Sequence, residues 1–199
     1  PGKGRALSVA DIEEDVRTLK EFNFNAVRCS HYTNHPAFYE FCSLYGLYVV
    51  DEADIETHGC GVTWDQGFLS KQPQWLEAYL DRVKRMYYAN RNETCIVVWS
   101  IGNECGCGEN LIECAKWLRN QENTKPILQA QDCDSNPTFS DFRQFGYPTL
   151  ETVRRFAEQE SDYPAISTEY GHAMGNSPGG LEQIWNIMDE YPQMQGGFV

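Results

Sequence analysis

The segment Cys95-Ile-Val-Val-Trp-Ser-Ile-Gly-Asn-Glu104 decides the fold. Residues 95–101 carry no charge and are rich in β-branched side chains. That is the pattern of a strand buried on both faces, and such strands belong to parallel sheets covered by helices. The strand then runs into Gly-Asn-Glu, so a carboxylate closes the most apolar stretch of the chain. Helical patterns flank it. Trp75, Leu76, Tyr79, Leu80, Val83 and Met86 recur at helical spacing before it, and a second helix is predicted over 110–121.

The same alternation continues in both directions. Ser8-Val-Ala-Asp11 fits a capping box opening a helix with Val9, Ile12, Val16 and Leu19 on one face. Residues 25–30 read as a short strand. Pro36 opens a helix that Gly46 ends, with His35 as helix-entry structure. Residues 47–50 form the next strand. After residue 121 come strands at 127–131 and 141–147, a helix at 150–159, a strand at 165–168, a helix at 180–189 and a last strand from 195. The total is seven strands and six helices.

Strand–helix alternation implies parallel strands joined by right-handed crossovers. A doubly wound sheet would carry a Gly-rich phosphate loop after an early strand, and the sequence has none. In a (β/α)₈ TIM barrel, functional groups collect at the C-terminal ends of many different strands. Polar residues follow strand after strand in that way: Arg28 and His31, Glu52, Glu56 and His58, Asn103 and Glu104, Tyr147, Glu169 and His172. The expectation is an α/β barrel. A complete barrel takes about 250 residues, so this one is expected to lack its first strand and part of its last unit. Residues 1–199 then form a single catalytic domain of a larger multidomain protein, with association, such as a homo-oligomer, or disorder expected at open edges near 23–30 and 195–199.

Composition narrows the function. The 199 residues hold 29 acidic and 16 basic side chains, a formal charge of −13, which argues against nucleic acid or anionic lipid as partner. No apolar run approaches a membrane span. Eight cysteines without a Cys-x-x-Cys pair exclude a zinc ribbon and read as free thiols of a reducing, cytoplasmic compartment. Cys105 and Cys107, one residue apart, are poorly spaced for zinc or for pairing with each other.

A neutral sugar remains. A carboxylate closing a buried strand must be paired, hydrogen-bonded or open to a cavity. Glu104 or Glu169 alone reads equally as an arginine-paired structural group. Two on one barrel face are what a retaining glycosidase requires: a nucleophile and an acid/base about 5–5.5 Å apart. Arg28 is placed to orient a carboxylate, Glu169 or Glu52.

Four stretches carry a resemblance: Asn23-Phe-Asn-Ala-Val-Arg-Cys-Ser-His-Tyr32, Tyr45-Gly-Leu-Tyr-Val-Val-Asp-Glu-Ala-Asp-Ile-Glu-Thr-His-Gly59, Trp99-Ser-Ile-Gly-Asn-Glu104 and Glu169-Tyr-Gly-His-Ala-Met-Gly-Asn-Ser177. They resemble the catalytic domain of glycoside hydrolase family 2 β-galactosidases, in order and over nearly the whole chain. The last stretch separates that branch from the β-glucuronidases and β-mannosidases. The resemblance implies hydrolysis of terminal, lactose-like β-D-galactosides with Glu169 as nucleophile and Glu104 as acid/base. It implies that Asn103 bonds the sugar 2-hydroxyl, that His31 and His172 contact sugar hydroxyls or developing charge, and that Tyr147 bonds the nucleophile. Glu56, His58 and Glu104 match magnesium ligands, although the donor set equally allows manganese.

The resemblance also implies missing parts. The family's first-strand histidine would precede Pro1 and its platform tryptophan would follow Val199. A sodium site and an aspartate lie on β-domains outside the chain, so the 199 residues alone are expected to be inactive. Trp75, Trp117 and Trp185 are assigned to helix core stripes, Trp99 to the barrel interior, and Trp64 remains in the aromatic inventory. Cys105-Gly-Cys-Gly108 departs from the family's Ser-Gly-His-Gly, with the loss of a polar loop contact expected.

Overall fold

The computed structural model describes residues 3–63, 65–130, 139–175 and 179–199. Seven strands and six α-helices alternate among them: α1 (Val9–Glu21), β1 (Ala26–Arg28), α2 (Pro36–Tyr45), β2 (Tyr48–Glu52), α3 (Leu76–Asn90), β3 (Ile96–Asn103), α4 (Glu109–Gln121), β4 (Ile127–Ala130), β5 (Arg143–Gly146), α5 (Leu150–Glu158), β6 (Ala165–Glu169), α6 (Leu181–Glu190) and β7 (Met194–Gly197). Short 3₁₀ turns at His58–Val62, Leu69–Lys71 and Pro73–Trp75 fill the β2–α3 connection.

Local chemistry sets the helix ends. Ser8 and Asp11 form the reciprocal capping box at α1. At α2 the His35 side chain accepts from Ala37 N–H, Pro36 occupies the first turn, and Gly46 closes the helix in the left-handed region at φ 76°.

Every strand pair is parallel. The order is β1-β2-β3-β4 in one sheet and β5-β6-β7 in the other. The two sheets are arcs of one wall. Val50, Val98, Leu128 and Ile166, from β2, β3, β4 and β6, share an interior cluster with Phe142 and Phe198 packed against it. Helices cover the outside: one core lies between β1–β4 and α1–α4, another between β5–β7 and α5–α6. Among the described residues no ladder joins β4 to β5 or β7 to β1, so the barrel is partial, as its length implied.

The tryptophans correct the sequence reading. Trp99 is fully buried, but it sits in the outer core with Tyr87 and bonds Glu122 Oε2 at 3.3 Å. Alternation along β3 sends Val98 and Ser100 inward and Trp99 towards the helices. Trp75 ends a 3₁₀ turn before α3 and is 43% exposed. Trp185 stands one position off the Ile184–Ile187–Met188 stripe and is 39% exposed. Only Trp117, edge-on to Tyr87, packs on the core as expected; Trp64 lies outside the described residues.

The thiols need one correction as well. Cys29, Cys42, Cys60, Cys95 and Cys114 are free thiols. Cys107 is disulfide-bonded, and Cys133 lies outside the described residues.

Behind β2, Asp51 is fully buried and is held by neutral donors: Tyr39 Oη–H at 2.7 Å, Asn90 Nδ2–H at 2.7 Å and Glu52 N–H at 3.1 Å. Burial outweighs these bonds and pushes the Asp51 carboxyl up from 3.8 to about 6. Between those values the folded state holds a proton that the unfolded state has released. Stability therefore falls as pH rises from about 4 to about 6. At roughly 1.4 kcal/mol per pKa unit, this group accounts for about 3 kcal/mol. Urea denaturation at pH 4.5 and pH 7 should show this slope, and Asp51→Asn should flatten it.

Candidate active site

Parallel strands bring their C-terminal ends to one rim, and Arg28 at the end of β1 organises it. The Arg28 residue is 7% exposed and its side chain crosses from one sheet to the other. Its Nε–H donates to Glu52 Oε2 at 2.8 Å. Nη2 donates to Glu52 Oε1 at 3.0 Å and to Asn103 Oδ1 at 2.7 Å. Nη1 donates to Thr168 O at 3.2 Å and to Glu169 Oε1 at 3.1 Å. A guanidinium has five N–H protons, and five acceptors meet them. Burial by itself would lower the Arg28 pKa, but Glu52 and Glu169 hold it above its ordinary value. Glu52 is buried too, yet His31, Arg28 and Ser100 together keep its carboxyl below the usual range.

Glu169 ends β6. Beyond Arg28 it accepts from the Tyr147 hydroxyl, and its carbonyl accepts Tyr147 N–H at 2.6 Å. Tyr147 stands at φ 47°, a left-handed conformation uncommon for a tyrosine, just past β5. The exposed His172 ring lies edge-on to Tyr147, with centroids 4.8 Å apart. His31 follows β1 through a cis Ser30–His31 peptide. Its Nδ1 is 3.0 Å from Glu52 Oε1 and its Nε2 is 3.9 Å from Glu169 Oε1. Asn176 and Ser177, the end of the fourth motif, lie outside the described residues.

Glu104 follows β3 and is also held at positive φ, 40°. Such strain in a non-glycine residue gathers at functional sites. Asn103, the preceding residue, donates from Nδ2 to Glu56 Oε2 at 2.7 Å while Arg28 bonds its Oδ1. Asn103 thereby couples the Arg28–Glu169 half of the rim to the Glu56–Glu104 half.

One ligand atom from each of Glu56, His58 and Glu104 lies within 4.8 Å of the others, and His58 Nδ1 contacts Glu104 Oε2. Two carboxylates and an imidazole suit a divalent cation such as Mg²⁺ or Mn²⁺. Glu56 bridges Asn103 in parallel, but His58 opens a 3₁₀ turn. The His58 backbone N–H donates to Glu56 Oε1 at 3.1 Å, which holds the Glu56 carboxylate beside the turn that carries His58.

The structure thus gathers Arg28, His31, Tyr147 and Glu169 in one cluster, with His172 on Tyr147, and Asn103 joins it to Glu56, His58 and Glu104. Sequence reasoning left Ser100 out. The β2–β3 register pairs Ser100 with Glu52, and the Ser100 hydroxyl donates to Glu52 Oε2 at 2.7 Å.

Residues 1–199 match the family described as "Glycosyl hydrolases family 2, TIM barrel domain". The chain belongs to that family. The β-galactosidase of Pectobacterium atrosepticum is 39% identical over 210 residues, spanning 100% of this chain and 20% of the relative. The β-galactosidase of Klebsiella pneumoniae is 41% identical, spanning 99% of this chain and 20% of the relative. The chain therefore spans about a fifth of the length of these curated relatives. Among solved structures, the β-glucuronidase of Ruminococcus gnavus superposes with a TM-score of 0.77 at 20% identity, over 96% of this chain and 40% of that one. That likeness bears on the fold, which is the family 2 barrel.

The Cys105–Gly108 loop of this family 2 barrel has a packing role that its residue types obscured. A Cβ on Gly106 would sit 2.3 Å from Gly67 Cα, and one on Gly108 would sit 2.1 Å from the Ser70 backbone. The loop after β3 therefore lies directly on residues 67–71. Polar contacts fasten it: Gly108 N–H to Ser70 Oγ at 3.0 Å, and Asn110 Nδ2 to Leu69 O and Gln72 O at 3.1 and 2.9 Å. Because the obstruction is backbone, Gly108→Ala is expected to cost about 1–3 kcal/mol. Chemical denaturation should show the lowered midpoint.

Proposed function

We propose that the whole protein containing this chain is a retaining β-galactosidase, and that residues 1–199 form its catalytic domain within a larger multidomain chain. One observation supports the reading: in a chain about 40% identical to β-galactosidases, Glu169 and Glu104 end strands on one barrel rim, where Arg28 bonds both Glu169 and Asn103, the residue before Glu104.

In this reading Glu169 attacks the anomeric carbon. The C–O bond to the aglycone breaks as Glu104 gives its proton to the departing oxygen, leaving a galactosyl ester on Glu169. Glu104 then takes a proton from water, which displaces Glu169 and releases galactose with its configuration retained. Arg28 and Tyr147 aim the Glu169 carboxylate. Asn103, fixed at both ends of its amide, offers the 2-hydroxyl a contact that strengthens in the transition state. His31 and His172 face the sugar hydroxyls. Glu56, His58 and Glu104 would hold Mg²⁺, or Mn²⁺, whose charge would fix and tune the Glu104 carboxylate.

The isolated 199 residues are proposed to be inactive. A groove between β1 and β7, lined by Ala26, Val27, Gly197 and Phe198, opens on Arg28 and Glu169. Neighbouring β-domains, with the family's sodium site, would complete the pocket, and a cytoplasmic setting with homo-oligomeric assembly is proposed with them.

The test is to assay the whole protein on nitrophenyl β-galactoside, β-glucuronide and β-mannoside, and to observe the first-formed sugar by NMR. Preference for the galactoside with the β-anomer appearing first is expected. Preference for the glucuronide, or the α-anomer appearing first, would refute the reading.

A further inference from the structure

Glu52 occupies a place that the reaction outlined above does not use. Its side chain is 0% exposed, at the end of β2. Four donors reach it: Arg28 Nε at 2.8 Å and Ser100 Oγ at 2.7 Å on Oε2, and Arg28 Nη2 at 3.0 Å and His31 Nδ1 at 3.0 Å on Oε1. A carboxylate offers about four lone-pair sites, so Glu52 is saturated and has none left for substrate. A buried carboxylate is costly unless fully paired, and three of its four bonds come from Arg28 and His31, the groups set against Glu169 and the sugar.

The protons can be counted. Arg28 Nη2 lies 3.2 Å from His31 Nδ1. All five Arg28 protons already have better acceptors, and arginine cannot accept. The contact between His31 Nδ1 and Glu52 Oε1 must therefore be a donation from the imidazole. Neutral His31 carries its proton on Nδ1, and Nε2, on the Glu169 side of the ring, keeps its lone pair.

From this the geometry points to Glu52 as a positioning residue for glycosyl transfer. It clamps the Arg28 guanidinium in the orientation that aims Glu169 and Asn103, and it fixes the His31 tautomer so that Nε2 accepts a hydrogen bond from a sugar hydroxyl. Ser100 holds the outer oxygen of the clamp. The inference rests on the retaining β-galactosidase reading and adds two residues, Glu52 and Ser100, that never touch substrate.

The experiment uses the whole protein. A 2-deoxy-2-fluoro-β-galactosyl fluoride traps the nucleophile as a stable ester, and the trapping rate constant reports how well Glu169 is aimed. Glu52→Gln is expected to slow trapping about 100-fold, the effect of misplacing a reacting group, while KM for an aryl β-galactoside changes by less than about threefold. Since Glu52 acts through Arg28, the pair Glu52→Gln with Arg28→Lys should trap within about threefold of Arg28→Lys alone. Should Glu52→Gln fail to fold, Ser100→Ala removes one of the four donors. That variant is expected to stay folded and to lose about 10-fold in kcat, the low end of the effect of removing an outer-layer partner.

Trapping within threefold of wild type for Glu52→Gln, multiplicative losses in the double variant, or unchanged kcat in a folded Ser100→Ala would each overturn the assignment. Glu169→Gln is run alongside. If it retains activity, the β-galactosidase reading itself fails; if it is dead while Glu52→Gln is normal, only the positioning role fails.

Discussion

Glu169→Gln in the whole protein is expected to lower kcat for an aryl β-galactoside by about 10⁴-fold or more, because no group on the rim replaces a covalent nucleophile. The glutamine keeps the shape: its one carbonyl oxygen accepts from Arg28 Nη1, and its NH₂, in place of Oε2, donates to the Tyr147 hydroxyl oxygen, so the melting temperature should move little. Glu104→Gln should behave differently. Removing the general acid penalises poor leaving groups most, so loss on a lactose-like substrate should exceed loss on a dinitrophenyl galactoside by at least about tenfold. Steady-state kinetics on the two substrates separate the roles. Equal losses from Glu104→Gln on both would exchange or dissolve the assignments.

The second large effect belongs to Arg28. Replacing it with methionine strands Glu52, whose side chain has no solvent exposure and would retain only the Ser100 and His31 donors. Breaking one partner out of a buried ion pair costs about 3–5 kcal/mol. Because Arg28 also aims Glu169, kcat should fall by about 10³-fold even where the variant remains folded. Arg28→Lys restores the charge but cannot serve five acceptors from one ammonium, so it should recover stability more than activity. The pH dependence follows. In the wild type Glu52 titrates below the usual carboxylate range, so its pairing stabilises the fold at neutral pH and is lost as pH falls through the folded-state value. In Arg28→Met that acid-side loss should shrink. Thermal denaturation of wild type and Arg28→Met side by side at pH 3 and pH 7 reads both effects, since the Asp51 contribution is common to the two proteins.

Much of this site could be read along the chain because a barrel turns sequence order into spatial position. Once β3 is recognised from its apolar run, the residues just past each strand must share a rim. Arg28, His31, Asn103, Glu104, Tyr147 and Glu169 fall into place by that rule alone. Three things could not be read this way. A strand apolar on both faces does not show which side faces the barrel interior, and Trp99 was accordingly assigned to the wrong layer. Saturation of Glu52 depends on the β2–β3 register that sets it opposite Ser100, a pairing that no spacing within one segment records. The packing of Gly106 and Gly108 on residues 67–71 joins two loops far apart in sequence, so the clearance that these glycines provide is not recorded in the Cys105–Gly108 stretch itself.

The metal reading can be checked on the same preparation. Chelation with EDTA followed by Mg²⁺ should lower and then restore kcat, with Glu56→Gln raising the Mg²⁺ concentration needed by at least about tenfold. Restoration at unchanged Mg²⁺ in that variant would remove Glu56 from the ligand set.

The most direct measurement is to trap the whole protein with 2-deoxy-2-fluoro-β-galactosyl fluoride, digest it and sequence the labelled peptide by mass spectrometry. The label should sit on Glu169, in the peptide containing Ser-Thr-Glu-Tyr-Gly. A label on Glu104, or turnover with no trapped ester and inverted product, would contradict the account.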